Sequence, residues 1–315
     1  MWVPPARDPQ SFSAWFERSV AAVQVAVRRV GVLLVSMWLT LGALSWWLAV
    51  ASFDDDRGRE LRRILEIDHT TFGPMGSPAT AELTTAEGER AWELLQEIFW
   101  SALPWLIVLV VVGVVASAWS VALVARVVRL DVADGPEASN PAAAGLSSIA
   151  AGALGRVPAV LASGFVVFTV FAGVWIAAVL PVVVVAVVGG GGAAIVLTVV
   201  FVVLLVLVVT GWLWGRLTLA SVIAASGGHG LGVGRSWALT HGQFWFVVGR
   251  LLVTGLIAGA ASSVVNVVNG FGQFLGLATY LAIVFLLQSL AFTVAIVITV
   301  CGHLATIDQV DQVPR

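Results

Sequence analysis

Residues 193–215 read AAIVLTVVFVVLLVLVVTGWLWG, a run of 23 residues without a charged side chain. Because about 20 apolar residues in a helix cross the hydrocarbon core of a bilayer, this run predicts a transmembrane helix. Similar runs lie on both sides of it. We predict six spans in all, near residues 30–52, 100–125, 157–188, 193–215, 251–268 and 271–301. The predicted fold class is all-α: a polytopic transmembrane helical bundle with amphipathic interfacial helices.

The composition of the whole chain fits a membrane protein. Of its 315 residues, 59% are hydrophobic and 11% are charged, whereas about 25% are charged in an ordinary soluble domain. The net charge of −2 provides no basic surface, so no nucleic-acid partner is expected. The single cysteine, Cys301, excludes an intrachain disulfide and a cysteine-based metal site.

Spans and loops divide the chain into four predicted segments. Three of the loops contain amphipathic stretches, at 11–29, 146–156 and 232–250, and each ends in an Arg before an apolar run. This pattern suggests three copies of one unit, an interfacial helix followed by a helical hairpin. The predicted segments are a cytoplasmic interfacial helix at 1–29, a two-span hairpin at 30–130 with an acidic outer loop at 53–99, a cytoplasmic linker and interfacial helix at 131–156, and a four-span membrane domain at 157–315.

The distribution of arginine predicts the orientation. Eleven of the 16 basic residues, all of them Arg, fall on one side of the six-span arrangement. The other five lie in the 53–99 loop beside 11 acidic residues, which gives that loop a charge of −6. Since Arg near short loops is retained in the cytoplasm, both termini are predicted to be cytoplasmic, in a multi-pass protein of the cell inner (plasma) membrane. A rival interpretation is a secretory signal cleaved after Ala49-Val50-Ala51, although its leader and apolar run are longer than such signals have.

The outer loop contains two helical stretches. Arg59–Ile67 places Leu61 and Ile64 on one stripe, and a second helix begins near Thr84 and continues directly into span two. So few apolar residues cannot form an independent core. We therefore expect the loop either to pack as a small helical cap or to bind something.

Small residues suggest where helices approach each other. Gly189–Gly192 is short enough only for a tight turn, so spans three and four are predicted to be antiparallel neighbours. Gly255, Gly259 and Ser263 form a small-residue ridge on span five, where we predict the tightest helix contacts of the bundle. Gly113-x-x-x-Ser117 on span two is a second candidate for close packing.

Few residues are candidates for chemistry. The His residues and Asp68-His69 lack the spacing of a metal pair or a catalytic set, so we assign no catalytic, cofactor or metal site and expect no enzyme. Two interpretations remain open for the amides at membrane depth: hydrogen bonds between helices, or a substrate pathway. These amides are Asn266, Asn269, Gln273 and Gln288.

The stretch from 232 to 250 is predicted to be one helix along the inner leaflet. Trp237 and Trp245, eight residues apart, would share a face at headgroup depth, and Arg235 and Arg250 would lie near lipid phosphates. Such a helix either connects two spans or is a docking surface for a cytoplasmic partner.

The same region carries a family resemblance. Residues 231–259 resemble a segment of the membrane domain found ahead of some bacterial glycerophosphoryl diester phosphodiesterases, and of related stand-alone multi-span proteins of high-GC Gram-positive bacteria. Gly234 and Phe246 depart from that pattern, where Arg is common. The resemblance extends over roughly residues 140–308 and implies a six-span bundle. It does not imply the phosphodiesterase activity, which belongs to a separate soluble barrel. The matching residues are Arg235, Ser236, Trp237, Leu239, Thr240, Phe244 and Trp245.

Together these observations predict a non-catalytic integral membrane protein that scaffolds, regulates or assists a partner in an envelope or lipid-related process. The alternative is a permease-like transport subunit for a lipid or small solute. The expected partners are the lipid bilayer and another membrane protein or a cytoplasmic protein. The oligomeric state does not follow from the sequence.

Overall fold

The computed structural model describes residues 11–53, 56–64, 85–134, 145–188, 191–227, 230–271 and 277–311. Within these ranges the chain contains helices and turns and no strand, which confirms the predicted all-α helical bundle. The helices are α1 (Phe12–Phe53), α2 (Asp56–Ile64), α3 (Thr85–Asp134), α4 (Leu146–Leu154), α5 (Val157–Val187), α6 (Gly192–Leu217), α7 (Ala220–Ala225), α8 (Val233–Thr240), α9 (Phe244–Phe271) and α10 (Leu277–Asp311).

The helices are long and apolar enough for a multi-pass membrane protein. Five stretches of the described chain have the length and composition to cross a bilayer, and they lie in α1, α3, α5, α6 with α7, and α10. A sixth span results if α8 and α9, which meet at an angle of 113°, are counted as one broken crossing. The protein is thus a helical bundle with five to six apolar helices that can span a membrane.

The chain divides into two compact units. Unit one contains residues 1–29, 118–255 and 298–315, and unit two contains residues 30–117 and 256–297. The core of unit one includes Trp15 from α1, Leu123 from α3, Ile223 from α7, Leu251 from α9 and Leu304 from α10, each at most 1% exposed. Four long helices therefore contribute residues to both units.

Unit two contains the extramembrane cap. The helix α2 packs on the first turns of α3 through Leu61, Ala91, Leu94 and Ile98, with Ile64 beside them. Salt bridges join Arg57 to Glu97 at 3.3 Å and Arg90 to Glu60 at 3.0 Å. Of the two expectations for this loop, the described residues support the helical cap. The predicted long helix running into span two is confirmed, since α3 has 50 residues without a break.

Two of the three predicted interfacial helices differ from expectation. Residues 11–29 are not a separate helix, because α1 continues from Phe12 to Phe53, and Trp15 near its start is anchored by a bond to Thr306. The prediction of one helix over 232–250 is also wrong. His241 is extended and Gly242 has a φ of +80°, a left-handed conformation that glycine adopts without strain and that ends a helix. The remaining helix, α4, is separate as predicted.

The helices α5 and α6 pack against each other, as predicted for spans three and four. The helix α5 contains Pro181 and continues past it to Val187. The helix α6 begins at Gly192. Gly189 and Gly190 of the predicted turn lie outside the described residues.

Candidate functional site

Unit two contains a groove between α1, α3 and α10. Its volume is about 330 Å³, which is at the lower end of the size range of ligand pockets. Most of the lining is apolar, and the groove is open at the side rather than enclosed. The lining residues are Trp38, Leu41, Gly42 and Ser45 of α1; Leu109, Val110, Gly113, Val114 and Ser117 of α3; and Phe285, Gln288, Ser289 and Phe292 of α10.

The register of α1 and α3 places a tryptophan near one end of the groove segment of each helix. Ser45 directly precedes Trp46, and Leu109 follows Trp105 by one helical turn. Tryptophan at these positions is typical of the membrane interface. Ser45 and Leu109 are therefore the lining residues of α1 and α3 that are nearest in sequence to these tryptophans.

Close contact between α1 and α10 forms one wall of the groove. A β-carbon at Gly42 would overlap the Ser289 hydroxyl and lie 2.9 Å from the Phe285 carbonyl oxygen, so only glycine fits there. One turn deeper, the rings of Trp38 and Phe292 meet edge to face with centroids 4.6 Å apart. These contacts hold α10 against α1 and leave the opening next to α3.

The opposite wall is not tightly packed. A β-carbon at Gly113 would meet no described atom within 4 Å. The expectation that Gly113 and Ser117 mediate close helix packing is therefore wrong for Gly113, which lines the groove instead. A larger side chain at this position would project into open space.

Four polar side chains line the groove, and three of them bond to their own helix. Ser45 donates to the Leu41 carbonyl oxygen, and Ser117 and Ser289 make the same type of bond. Gln288 is exposed, and no hydrogen bond joins its side-chain amide to the described part of the chain. An amide without a hydrogen-bond partner is unfavourable in hydrocarbon. A ligand whose polar atoms bond to the Gln288 amide would therefore stabilise the protein. The Gln288 amide makes no interhelical hydrogen bond within the described residues, and the side chains of the other three amides, Asn266, Asn269 and Gln273, lie outside them.

Unit one contains a second arrangement, in which three aromatic rings surround the guanidinium of Arg216. The Arg216 Cζ atom lies 5.4 Å from the ring centroid of Trp212, 5.3 Å from that of Trp237 and 5.5 Å from that of Phe244. Each distance is within the range of a cation–π interaction. We call Arg216 and these three rings the arginine box.

Residues of α8 and the beginning of α9 complete this box. The Ser236 hydroxyl donates to the Arg216 carbonyl oxygen at 2.5 Å, and Arg216 Nη1 donates to the Thr240 hydroxyl at 3.3 Å. Trp237 and Phe244 supply two of the three rings. Phe244 can reach Arg216 because Gly215 leaves room, since a β-carbon there would lie 2.8 Å from the Phe244 ring. The sequence pattern alone does not single out Arg216, because its other partners Ser236, Trp237, Thr240 and Phe244 belong to later helices and only Trp212 is close to it in sequence.

The four residues predicted as an interfacial docking surface have different partners. Arg235 forms a salt bridge with Asp311 at 2.8 Å, and Trp237 belongs to the arginine box. Trp245, on the next helix, is 81% exposed. Arg250 is only 7% exposed, which contradicts the expectation that this residue lies near lipid phosphates.

Instead, Arg250 is tied to the end of α10. Its Nε donates to the Gln309 side-chain oxygen at 2.8 Å. In the same turns of α10, Asp308 forms a salt bridge with Arg129 and Thr306 accepts a bond from Trp15. The last turns of α10 thereby connect α1, α3, α8 and α9 within unit one.

The predicted small-residue ridge of span five also has a different environment. A β-carbon at Gly255 or Gly259 would meet no described atom within 4 Å, and Ser263 is exposed. The buried face of α9 instead carries Thr254 and Ala258. The prediction of the tightest helix contacts at the two glycines is therefore wrong within the described residues, because α9 is rotated so that the ridge faces outward.

The histidines do not assemble a metal site in the part of the chain that the structure describes. His303 is buried in unit one, and His241 is exposed at the end of α8. The other candidates, Asp68, His69 and His229, lie outside the described residues.

Comparison with known proteins adds no relative. The chain matches no family model, no curated protein and no solved structure.

Proposed function

We propose that this chain is a non-catalytic, multi-pass protein of the cell inner (plasma) membrane that binds a membrane lipid and acts as an accessory protein in a lipid-related process of the envelope. The observation that carries the proposal is the groove of unit two. It combines apolar walls on three spanning helices with one unpaired amide, that of Gln288. The proposed orientation has both termini in the cytoplasm and residues 53–99 outside, on the basis of the arginine distribution.

The chemistry of the groove matches one acyl chain of a glycerophospholipid. The side opening faces the bilayer, where acyl chains are the most abundant molecules of suitable polarity. Gln288 lies on α10 between Phe285, near the interface, and Phe292, at the deep end of the groove. At that level its amide can donate a hydrogen bond to the ester carbonyl of a lipid, whose chain would then extend along Gly113.

The resemblance of residues 231–259 to the membrane domains ahead of glycerophosphoryl diester phosphodiesterases supports the same proposal. It suggests a bacterial protein working alongside lipid or envelope enzymes. The activity of those enzymes is not part of the proposal, because a non-catalytic role needs only the bundle and its lipid site.

A photoreactive lipid tests the proposal. The purified protein would be reconstituted in vesicles containing a phosphatidylcholine with a diazirine on one acyl chain, irradiated and digested, and the crosslinked peptides would be identified by mass spectrometry. We expect crosslinks in the groove segments of α1, α3 and α10. Gly113→Leu, which fills the groove without meeting a described atom, should reduce these crosslinks severalfold.

The matched control is Gly164→Leu on α5. Gly164 also has open space at its β-carbon and is not one of the residues that line the groove, so this variant should crosslink like the wild type. Gln288→Leu should lower the yield while leaving the apolar walls intact. Equal labelling of the wild type and Gly113→Leu would refute lipid binding in the groove.

A permease-like subunit is the second candidate, and the same unpaired amide in the groove favours it. Crosslinking in membranes followed by mass spectrometry of the partners separates the two roles. Recovery of an ATP-binding subunit would support the permease, whereas recovery of an envelope or lipid enzyme would support the accessory role.

A further inference from the structure

We propose that the arginine box is a binding site for the phosphate group of an anionic membrane lipid. The box shares no residue with the groove, so the proposal does not depend on the function proposed for the groove. The inference rests on three residues and on the polar atoms that hold them in place. The three residues are Arg216, Trp212 and Trp237.

The guanidinium of Arg216 is only partly used by the protein. Its single hydrogen bond to a described side chain is the 3.3 Å contact to Thr240, and no carboxylate of the described residues forms an ion pair with it. Its Nε is buried and has no partner. The Nε is enclosed by protein, so the donors left for a phosphate are the Nη2 hydrogens and the second Nη1 hydrogen, which have no partner among the described residues. A planar guanidinium can bind phosphate through two parallel hydrogen bonds from such groups.

The surroundings hold the guanidinium in one position. The rings of Trp212, Trp237 and Phe244 stabilise the cation, and Trp212 and Trp237 also pack against each other with centroids 5.1 Å apart. Arg216 lies in the last turn of α6, where the helix dipole also favours a positive charge. The charge is therefore held in one position rather than on a freely moving side chain.

The position of the box indicates the source of the phosphate. Arg216 directly follows the apolar run of α6, at the level where headgroup phosphates lie, and Trp212 and Trp237 are 42% and 39% exposed. Tryptophan with one face toward lipid is typical of this interface. The neighbouring Arg235 is paired with Asp311, whereas no carboxylate of the described residues forms an ion pair with Arg216.

The test compares two lipids with the same acyl chains. The full chain in detergent would be titrated with phosphatidylglycerol or phosphatidylcholine, and native mass spectrometry would give the dissociation constant of the first lipid bound. We expect the wild type to bind phosphatidylglycerol about fivefold more tightly than phosphatidylcholine, the contribution of one Arg at an anionic surface. Arg216→Gln should abolish this preference.

Arg28→Gln is the matched control. It removes the same charge from an exposed arginine that has no aromatic box, so the preference should persist. A separate titration with inorganic phosphate distinguishes the source of the group: displacement of phosphatidylglycerol would assign the site to free phosphate, and retention would assign it to the lipid.

Two further variants keep the test decisive if Arg216→Gln does not fold. Arg216→Lys keeps the charge but not the paired donors, and Trp237→Leu opens the box while leaving Arg216 in place. Both should lose most of the preference. A preference for phosphatidylglycerol that is unchanged in both variants, or in a folded Arg216→Gln protein, would overturn the proposal.

Discussion

A β-carbon at Gly302 would lie 2.5 Å from the hydroxyl oxygen of Thr254 and 2.8 Å from its methyl carbon. Both residues belong to unit one, where α10 meets α9. The Gly302 carbonyl oxygen also accepts bonds from Trp15 of α1 and Thr306 of α10. The close approach of helices that the sequence placed at Gly255 and Gly259 is therefore found at Gly302.

Gly302→Ala should destabilise the protein by about 1–3 kcal/mol, because the added methyl group overlaps a packed neighbour. Gly255→Ala is the matched control, since its β-carbon meets no described atom and alanine favours the helix. Thermal unfolding in detergent would measure both. A lower Tm for Gly255→Ala with an unchanged Tm for Gly302→Ala would show that the packing assignment is reversed.

Gln309→Leu should lower the free energy of unfolding by about 2–3 kcal/mol, because buried Arg250 loses an acceptor that cannot be replaced by water. Asp311→Asn, which weakens the exposed salt bridge to Arg235, should cost less than about 1 kcal/mol. Thermal or denaturant unfolding of both variants checks the difference. Equal effects would mean that Arg250 is solvated in the folded protein.

Leu94→Ala should weaken the packing of α2 on α3 by about 2–4 kcal/mol, because Leu94 is fully buried in the cap. Hydrogen exchange of the α2 amides is the direct measurement, since the cap can open without unfolding of the spans. The adjacent Leu95 is 40% exposed, and Leu95→Ala should leave α2 protected. Similar exchange rates in the two variants would contradict this assignment of the cap core.

The topology predicts how single cysteines react. In a Cys301→Ser background, a cysteine replacing exposed Glu89 should react with a membrane-impermeant maleimide in intact cells. A cysteine replacing exposed Arg28 should react only after permeabilisation. The reverse pattern would place residues 53–99 in the cytoplasm and refute the proposed orientation.

The sequence predicted the spanning helices well because the property that defines them is local. Transfer of each apolar residue into hydrocarbon is favourable by itself, so a run such as 193–215 indicates a span without knowledge of its neighbours. The sequence also predicts that the 85–99 helix continues into span two, since the apolar periodicity of this stretch has no break. Gly242 was also a visible signal for the end of a helix, although the apolar pattern on both sides suggested one continuous helix.

Only the tertiary structure decided which faces meet and which side chains become partners. An apolar helix has no polar face that marks its rotation, so the spacing of small residues suggested close packing at Gly255, whereas the close contact lies at Gly302 of α10. Arg216 and Thr240 are 24 residues apart, and the groove unites three helices from distant parts of the chain. Such contacts depend on steric fit and on hydrogen bonds between separate helices, and neither is encoded in the composition of a single segment.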